Sequence, residues 1–116
     1  MSKPASLGQF EQLVLAGIVS LGDEAYGVTI HARVEELMRP RGCQLGPVYT
    51  TLDRLEEKGL VHSWLSEPTA QRGGRKRRLD HLSPSGEEAL TEAAAVARRM
   101  CAVVEEHWGD QKWSPA

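Results

Sequence analysis

The densest chemistry in the sequence is Arg72-Gly73-Gly74-Arg75-Lys76-Arg77-Arg78, where five of the fourteen basic residues surround a glycine pair. Cationic side chains at that density displace counterions from a polyanion, and paired glycines let the backbone approach it closely. Taken alone, such a run is as readily a solvated charged loop. A second group, Tyr49, Thr50, Thr51 and Arg54, gathers three hydroxyls and a guanidinium into one short stretch. Hydroxyls bond phosphate oxygens and base edges, and arginine reads guanine through two parallel hydrogen bonds. Tyr49 can also pack its ring while offering its hydroxyl, and Arg54 can pair with Glu57 one turn on. Tyr26 stands between core anchor and backbone contact, and Lys58 reads as a charge complementing a helix C-terminus. His81, Cys101 and His107 lack the spacing of metal ligands. There is no nucleophile–base pair, acidic pair or phosphate-cradling loop. The expectation is a binding protein with no metal, no cofactor and no catalytic site.

The chain of 116 residues suits one compact domain with room for an appended helix. Its apolar fraction is 41%, yet only one Phe, two Tyr and three Trp are present, so the core must be aliphatic. No apolar run approaches the ~18–20 residues of a membrane span, and the first residues lack the apolar stretch of a signal peptide. Cys43 and Cys101 lie far apart, without a disulfide framework. These features predict a cytoplasmic protein with no membrane partner. A net charge of −2 discourages a polyanion by its sum, but the charge is unevenly spread. From Ser83 onward six acids face three bases, a net −3, which leaves the first 82 residues at +1.

Phe10, Leu13, Val14, Gly17, Ile18 and Leu21 recur as the stripe of an amphipathic helix, capped by Ser6 and stopped by Gly22. A second helix, with Asp23 as its candidate cap, carries Ile30, Val34, Leu37 and Met38 and ends before Pro40. In the third, Pro47 suits the first turn, Val48, Leu52 and Leu55 form the stripe, and Gly59 takes the left-handed cap. The period then changes. Leu60–Glu67 and Arg75–Leu82 read as two strands of a hairpin with the basic cluster at its tip. Ser83-Pro84 opens a last helix, running to about Trp108, with Gly109–Ala116 as a tail. Along it Leu90, Ala94, Ala97, Cys101, Val104 and Trp108 repeat at alternating steps of four and three, a coiled-coil-like seam. So small a bundle cannot cover that seam, so the expected partner is a second copy of the chain.

Three helices followed by a basic-tipped hairpin is the order of a winged helix-turn-helix, in which the third helix enters the major groove and the hairpin is the wing. The predicted fold is mostly α with a small β-hairpin: residues 1–82 form the winged domain and 83–116 the dimerisation helix and tail. Candidate DNA contacts are Tyr26, Tyr49, Thr50, Thr51, Arg54, Arg72, Gly73, Gly74, Arg75, Lys76 and Arg77. A winged module that docks protein without reading DNA is the alternative, but five basic residues around paired glycines are needless for that purpose.

In its ordered motifs the chain resembles the PadR family of bacterial transcriptional regulators over most of its length. The resemblance rests on Leu7-Gly8-Gln9-Phe10-Glu11 with Leu13-Val14-Leu15, on Gly22-Asp23-Glu24-Ala25-Tyr26-Gly27, and on the run from Leu45-Gly46-Pro47-Val48-Tyr49-Thr50-Thr51-Leu52 to Gly59-Leu60-Val61. Gly73-Gly74-Arg75-Lys76-Arg77-Arg78 and Leu82-Ser83-Pro84-Ser85-Gly86 complete it. The chain departs at Arg78-Leu79-Asp80-His81, where the family usually has aromatics, and at Gly46-Pro47-Val48 in the third helix. The resemblance implies a dimeric repressor of the compact subfamily, acting at a palindromic operator in double-stranded DNA and often relieved by a small molecule. The apolar walls expected for such an effector, between the long helices and the first helices, are Phe10, Leu13, Val104 and Trp108. They suit a flat apolar or aromatic molecule stacked on indole.

Overall fold

The structure is a computed structural model that describes residues 7–67 and 76–112. Helix α1 spans Gln9–Leu21, α2 Gly27–Leu37 and α3 Leu45–Glu57; strands β1 (Val61–Leu65) and β2 (Arg78–Leu82) follow, then α4 (Pro84–Lys112). Helix α1 packs on α2, α3, β2 and α4 and so runs through the centre of the molecule. Val14, Leu15, Ile30, Val34, Val48, Leu52 and Leu55 are fully buried around it, and the core is aliphatic as the composition requires.

The helix starts differ from expectation. Ser6 lies outside the described residues, and the N-cap position of α1 belongs to Gly8. Gly8 has no side chain to cap with, so Glu11 reaches back and accepts the Gly8 N–H at 3.0 Å. Asp23 does not cap α2; it sits in a short 3₁₀ turn (Gly22–Glu24), and the N-cap is Tyr26. Here Thr29 acts from within the helix, its hydroxyl accepting the Tyr26 N–H at 3.1 Å. The C-termini follow the sequence. Gly22 (φ 56°) closes α1. Gly59 (φ 76°) closes α3, with Gly59 N–H on Glu56 O at 3.0 Å and Leu60 N–H on Leu55 O at 2.9 Å, a Schellman cap.

The strands are antiparallel, pairing Val61 with Leu82, Ser63 with Asp80 and Leu65 with Arg78. Both are shorter than predicted. At Ser66 the side chain takes over as acceptor for the Arg77 N–H at 3.0 Å, while Ser66 N–H still bonds Arg77 O at 2.7 Å. A bare two-stranded ribbon is marginal in water. This one is anchored where Asp80 N–H reaches Ala25 O at 3.0 Å and Leu79 bridges Tyr26.

Ser83 caps α4 as predicted: its hydroxyl accepts Gly86 N–H at 3.1 Å and donates to Gly59 O at 2.6 Å. Gly86 presses on the α3–β1 corner, where a Cβ would stand 2.0 Å from Leu60 O. Ala89 is buried there and Leu90 packs against the core. Further along, the helix leaves the body, exposing Val96, Met100, Val103 and Trp108 by 53–62%. Gly109 (φ 57°) interrupts it at the boundary predicted for the tail.

Candidate nucleic-acid interface

Helix α3 buries Val48, Thr51, Leu52 and Leu55 and turns Tyr49, Thr50, Asp53 and Arg54 outward. Thr51 is therefore a correction. At 5% exposure, three residues from Val48 and four from Leu55, it lies on the core face and offers no hydroxyl to DNA. Thr50 is exposed, its hydroxyl bonded back to Gly46 O at 3.2 Å. Arg54 is exposed and makes no ion pair among the described residues, so the Glu57 pairing read from the sequence is not formed.

Tyr49 packs its ring and still exposes 39% of its surface. The packing partner is the α2 N-terminus: a Cβ on Gly27 would lie 2.3 Å from the Tyr49 hydroxyl oxygen, so only glycine admits the phenol there. On the adjacent Tyr26, the Arg77 guanidinium sits 4.2 Å from the ring centroid, a cation–π contact. Tyr26, Gly27, Val28 and Tyr49 join Lys76, Arg77 and Arg78 around one cavity of about 470 Å³. Predicted contacts from three separate elements thus converge on one surface. Arg72, Gly73, Gly74 and Arg75 lie outside the described residues.

Arg78, counted with the basic cluster, is engaged inside the protein. Its Nη1 lies 2.7 Å from Asp53 Oδ1, its Nη2 3.8 Å from Glu56 Oε1 and its Nε 3.5 Å from Asp80 Oδ1. Nη2 also donates to Ser63 Oγ at 3.2 Å. Burial works against the guanidinium's charge, but Asp53, Asp80 and Glu56 overcome it and hold its pKa above the usual value. Asp80 is fully buried; Ser63 donates to its Oδ1 at 2.5 Å, and Oδ2 has no hydrogen-bond partner among the described residues. Desolvation pushes its carboxyl above the ordinary range, against the Ser63 bond and the Arg78 charge. This network was missed. The pairing of Asp53 with Arg78 spans 25 residues, and only the departure from aromatics at Asp80 hinted at it.

Away from this surface, Leu90, Ala94, Ala97 and Val104 are half-buried, while Cys101 and Trp108 are exposed. Phe10 and Leu13 pack against the core cluster. A second cavity, of about 460 Å³, is walled by Ile18, Val19, Gly22, His81, Leu82, Glu87, Leu90 and Thr91, none of them among the expected effector walls. Among the described residues no group of His, Cys, Asp and Glu is placed to hold a metal ion, and no helix is long and apolar enough to cross a membrane.

The model of the transcriptional regulator PadR-like family matches residues 14–92, well over half of the chain. A PadR family transcription regulator from Clostridium difficile R20291 is similar in structure, with a TM-score of 0.71 and 26% identity over 88% of this chain and 100% of that one. A PadR-like transcription factor from Bacteroides fragilis gives 0.63 and 25%, covering 85% of this chain and 89% of its own. The PcaV transcriptional regulator of Streptomyces coelicolor, solved with its natural ligand, shares the fold at a TM-score of 0.64 and 22% identity, covering 87% and 62%. No curated protein sequence matches significantly.

Proposed function

The chain belongs to the PadR-like family of transcriptional regulators, and we propose that it is a homodimeric repressor of a palindromic operator, acting in the cytoplasm and relieved by a small molecule. The observation that carries DNA recognition is the convergence of Tyr49, the Tyr26–Arg77 stack and Lys76 on one concave surface beside the exposed start of α3. Residues 1–82 supply that surface. A phenol hydroxyl and two cations there suit phosphate, while Thr50 and Arg54 stand on the outward side of α3, where base edges are read.

Dimerisation is supported by the projecting part of α4, whose Val96, Met100, Val103 and Trp108 stay in water in a single chain. A contiguous apolar face of that length favours self-association. Residues 83–116 are the natural dimer element. Relief by an effector is supported by the fold shared with PcaV, a regulator solved with its natural ligand.

The test is selection of duplexes from a random pool by the purified chain, followed by salt titration. A dimer that neutralises about six to ten phosphates should lose on the order of 10³–10⁵ in affinity between 50 and 200 mM salt. Arg75→Ala with Arg77→Ala should flatten that slope on every sequence alike. Enrichment of no sequence, with salt-insensitive binding, would overturn the reading in favour of protein docking.

A further inference from the structure

We propose that Arg78 is a positioning residue rather than a DNA contact: it is the strut that holds the wing against the recognition helix. The inference rests on the DNA-binding reading above. Arg78 opens β2, directly after Lys76 and Arg77, and its guanidinium spans from Asp53 on α3 to Ser63 on β1 and Asp80 on its own strand. Two of its N–H groups hydrogen-bond inside the protein, each of its three nitrogens faces an internal partner, and its side chain is 29% exposed.

The placement of Asp53 is otherwise hard to justify. It is 65% exposed on the same side of α3 as Tyr49 and Thr50, where a carboxylate repels phosphate. Paired with Arg78 at 2.7 Å, it becomes the helix end of the strut, and its charge is neutralised at that surface. Behind it, buried Asp80 holds the other side of the guanidinium through Nε and through Ser63. Lysine cannot make such contacts together, because it presents one point charge where arginine presents a planar fork. With the strut in place, Arg77 is set over Tyr26, and Lys76 lines the cavity that Tyr49 also borders; without it, the hairpin's open end turns relative to α3.

Arg78→Lys and Asp53→Asn, alone and together, distinguish the roles on a selected duplex. Arg78→Lys keeps a cation fit for phosphate, yet should weaken binding about tenfold with the salt slope unchanged. Asp53→Asn should also weaken binding, although it removes a negative charge from the DNA-facing side. The double variant should be no weaker than the worse single one, because both break one strut. Wild-type affinity in Arg78→Lys, tighter binding by Asp53→Asn, or a slope that falls by about one phosphate would overturn the proposal. Losses that simply add would make Asp53 a base reader, which overturns it too. A readout without DNA separates this from the DNA-binding reading: exchange of the Arg77 amide, bonded to Ser66 Oγ, should quicken about tenfold in Arg78→Lys. A wild-type chain that binds no duplex would sink the regulator reading while that exchange still reports the strut. Unchanged exchange would sink the strut.

Discussion

Glu11 and Lys58 stand 47 residues apart, and their pairing at 2.8 Å ties the start of α1 to the end of α3. Read from the sequence, Lys58 needed no partner beyond the helix dipole; the contact depends on how two helices cross, which no local pattern encodes. The Glu11 side chain is only 10% exposed. Burial raises its pKa, but Lys58 and the Gly8 N–H together bring it below the ordinary carboxylate range. A carboxylate depressed in the folded state stabilises fully above its unfolded pKa and loses that contribution as pH falls through the folded value. Lys58→Met should therefore cost about 1–3 kcal/mol at pH 7, measured by urea unfolding, because it leaves a buried carboxylate without its cation. The difference from wild type should shrink as pH falls through the carboxylate range and Glu11 takes up a proton in both proteins. On the outward side of α3, Arg54 is exposed and forms no ion pair among the described residues. Arg54→Ala should cost about 1–3 kcal/mol on the selected duplex and leave random-sequence binding nearly intact. Equal loss on both would make it a backbone contact.

The elements themselves were largely readable, and their failures share one cause. The stripes of α1 and α3, the stop at Gly22, the Schellman glycine at Gly59 and the Ser83 cap each follow from a residue acting within its own turn. The starts of α1 and α2 escaped because their cap positions hold Gly8 and Tyr26, and the work is done three residues later by Glu11 and Thr29. Thr51 was misplaced for a related reason: a threonine among hydroxyls looks polar, but its position on the helix is set by Val48 and Leu55. Asp80 faces inward because the hairpin register sets it opposite Ser63, and a register is invisible before the strands are paired. The joint between α4 and the body makes a sharp prediction at this level. Gly86→Ala drives a methyl into the Leu60 carbonyl, backbone that cannot swing aside, and should cost at least about 1–3 kcal/mol of unfolding free energy. Gly46→Ala meets nothing within 4 Å and should instead be neutral or gain up to about 1 kcal/mol. Equal effects in thermal unfolding would mean that α4 is not seated on that corner.

At the scale of the whole molecule, the chain extends over 54 × 38 × 21 Å because α4 outruns the body on which it starts. The seam expected along α4 rests on that helix's own periodicity and not on any crossing of elements. Ala97→Glu with Cys101→Glu places like charges on both copies along that seam and should give monomers in sedimentation velocity. A dimer that survives both glutamates would place the interface elsewhere. In the proposed dimer the two recognition helices would have to stand about one DNA turn apart, ~34 Å, so a molecule at its centre would control operator binding.

That geometry makes the effector question measurable. Trp108 is 53% exposed in a single chain, and Phe10 and Leu13 already pack on the core, so a flat apolar molecule bound between two copies would stack on the indole and displace water from it. With Trp64→Phe and Trp113→Phe leaving Trp108 as the sole indole, an effector that releases the operator should shift or quench its emission in parallel with release. The cavity walled by Ile18, Leu82 and Leu90 offers the contrasting outcome. It lies where β2 meets the first turns of α4, so a molecule there would bias the hairpin without touching Trp108. Release of DNA with unchanged Trp108 emission, abolished by filling that cavity through Thr91→Trp in a Trp108→Phe background, would move the effector site from the dimer seam to the wing's own root.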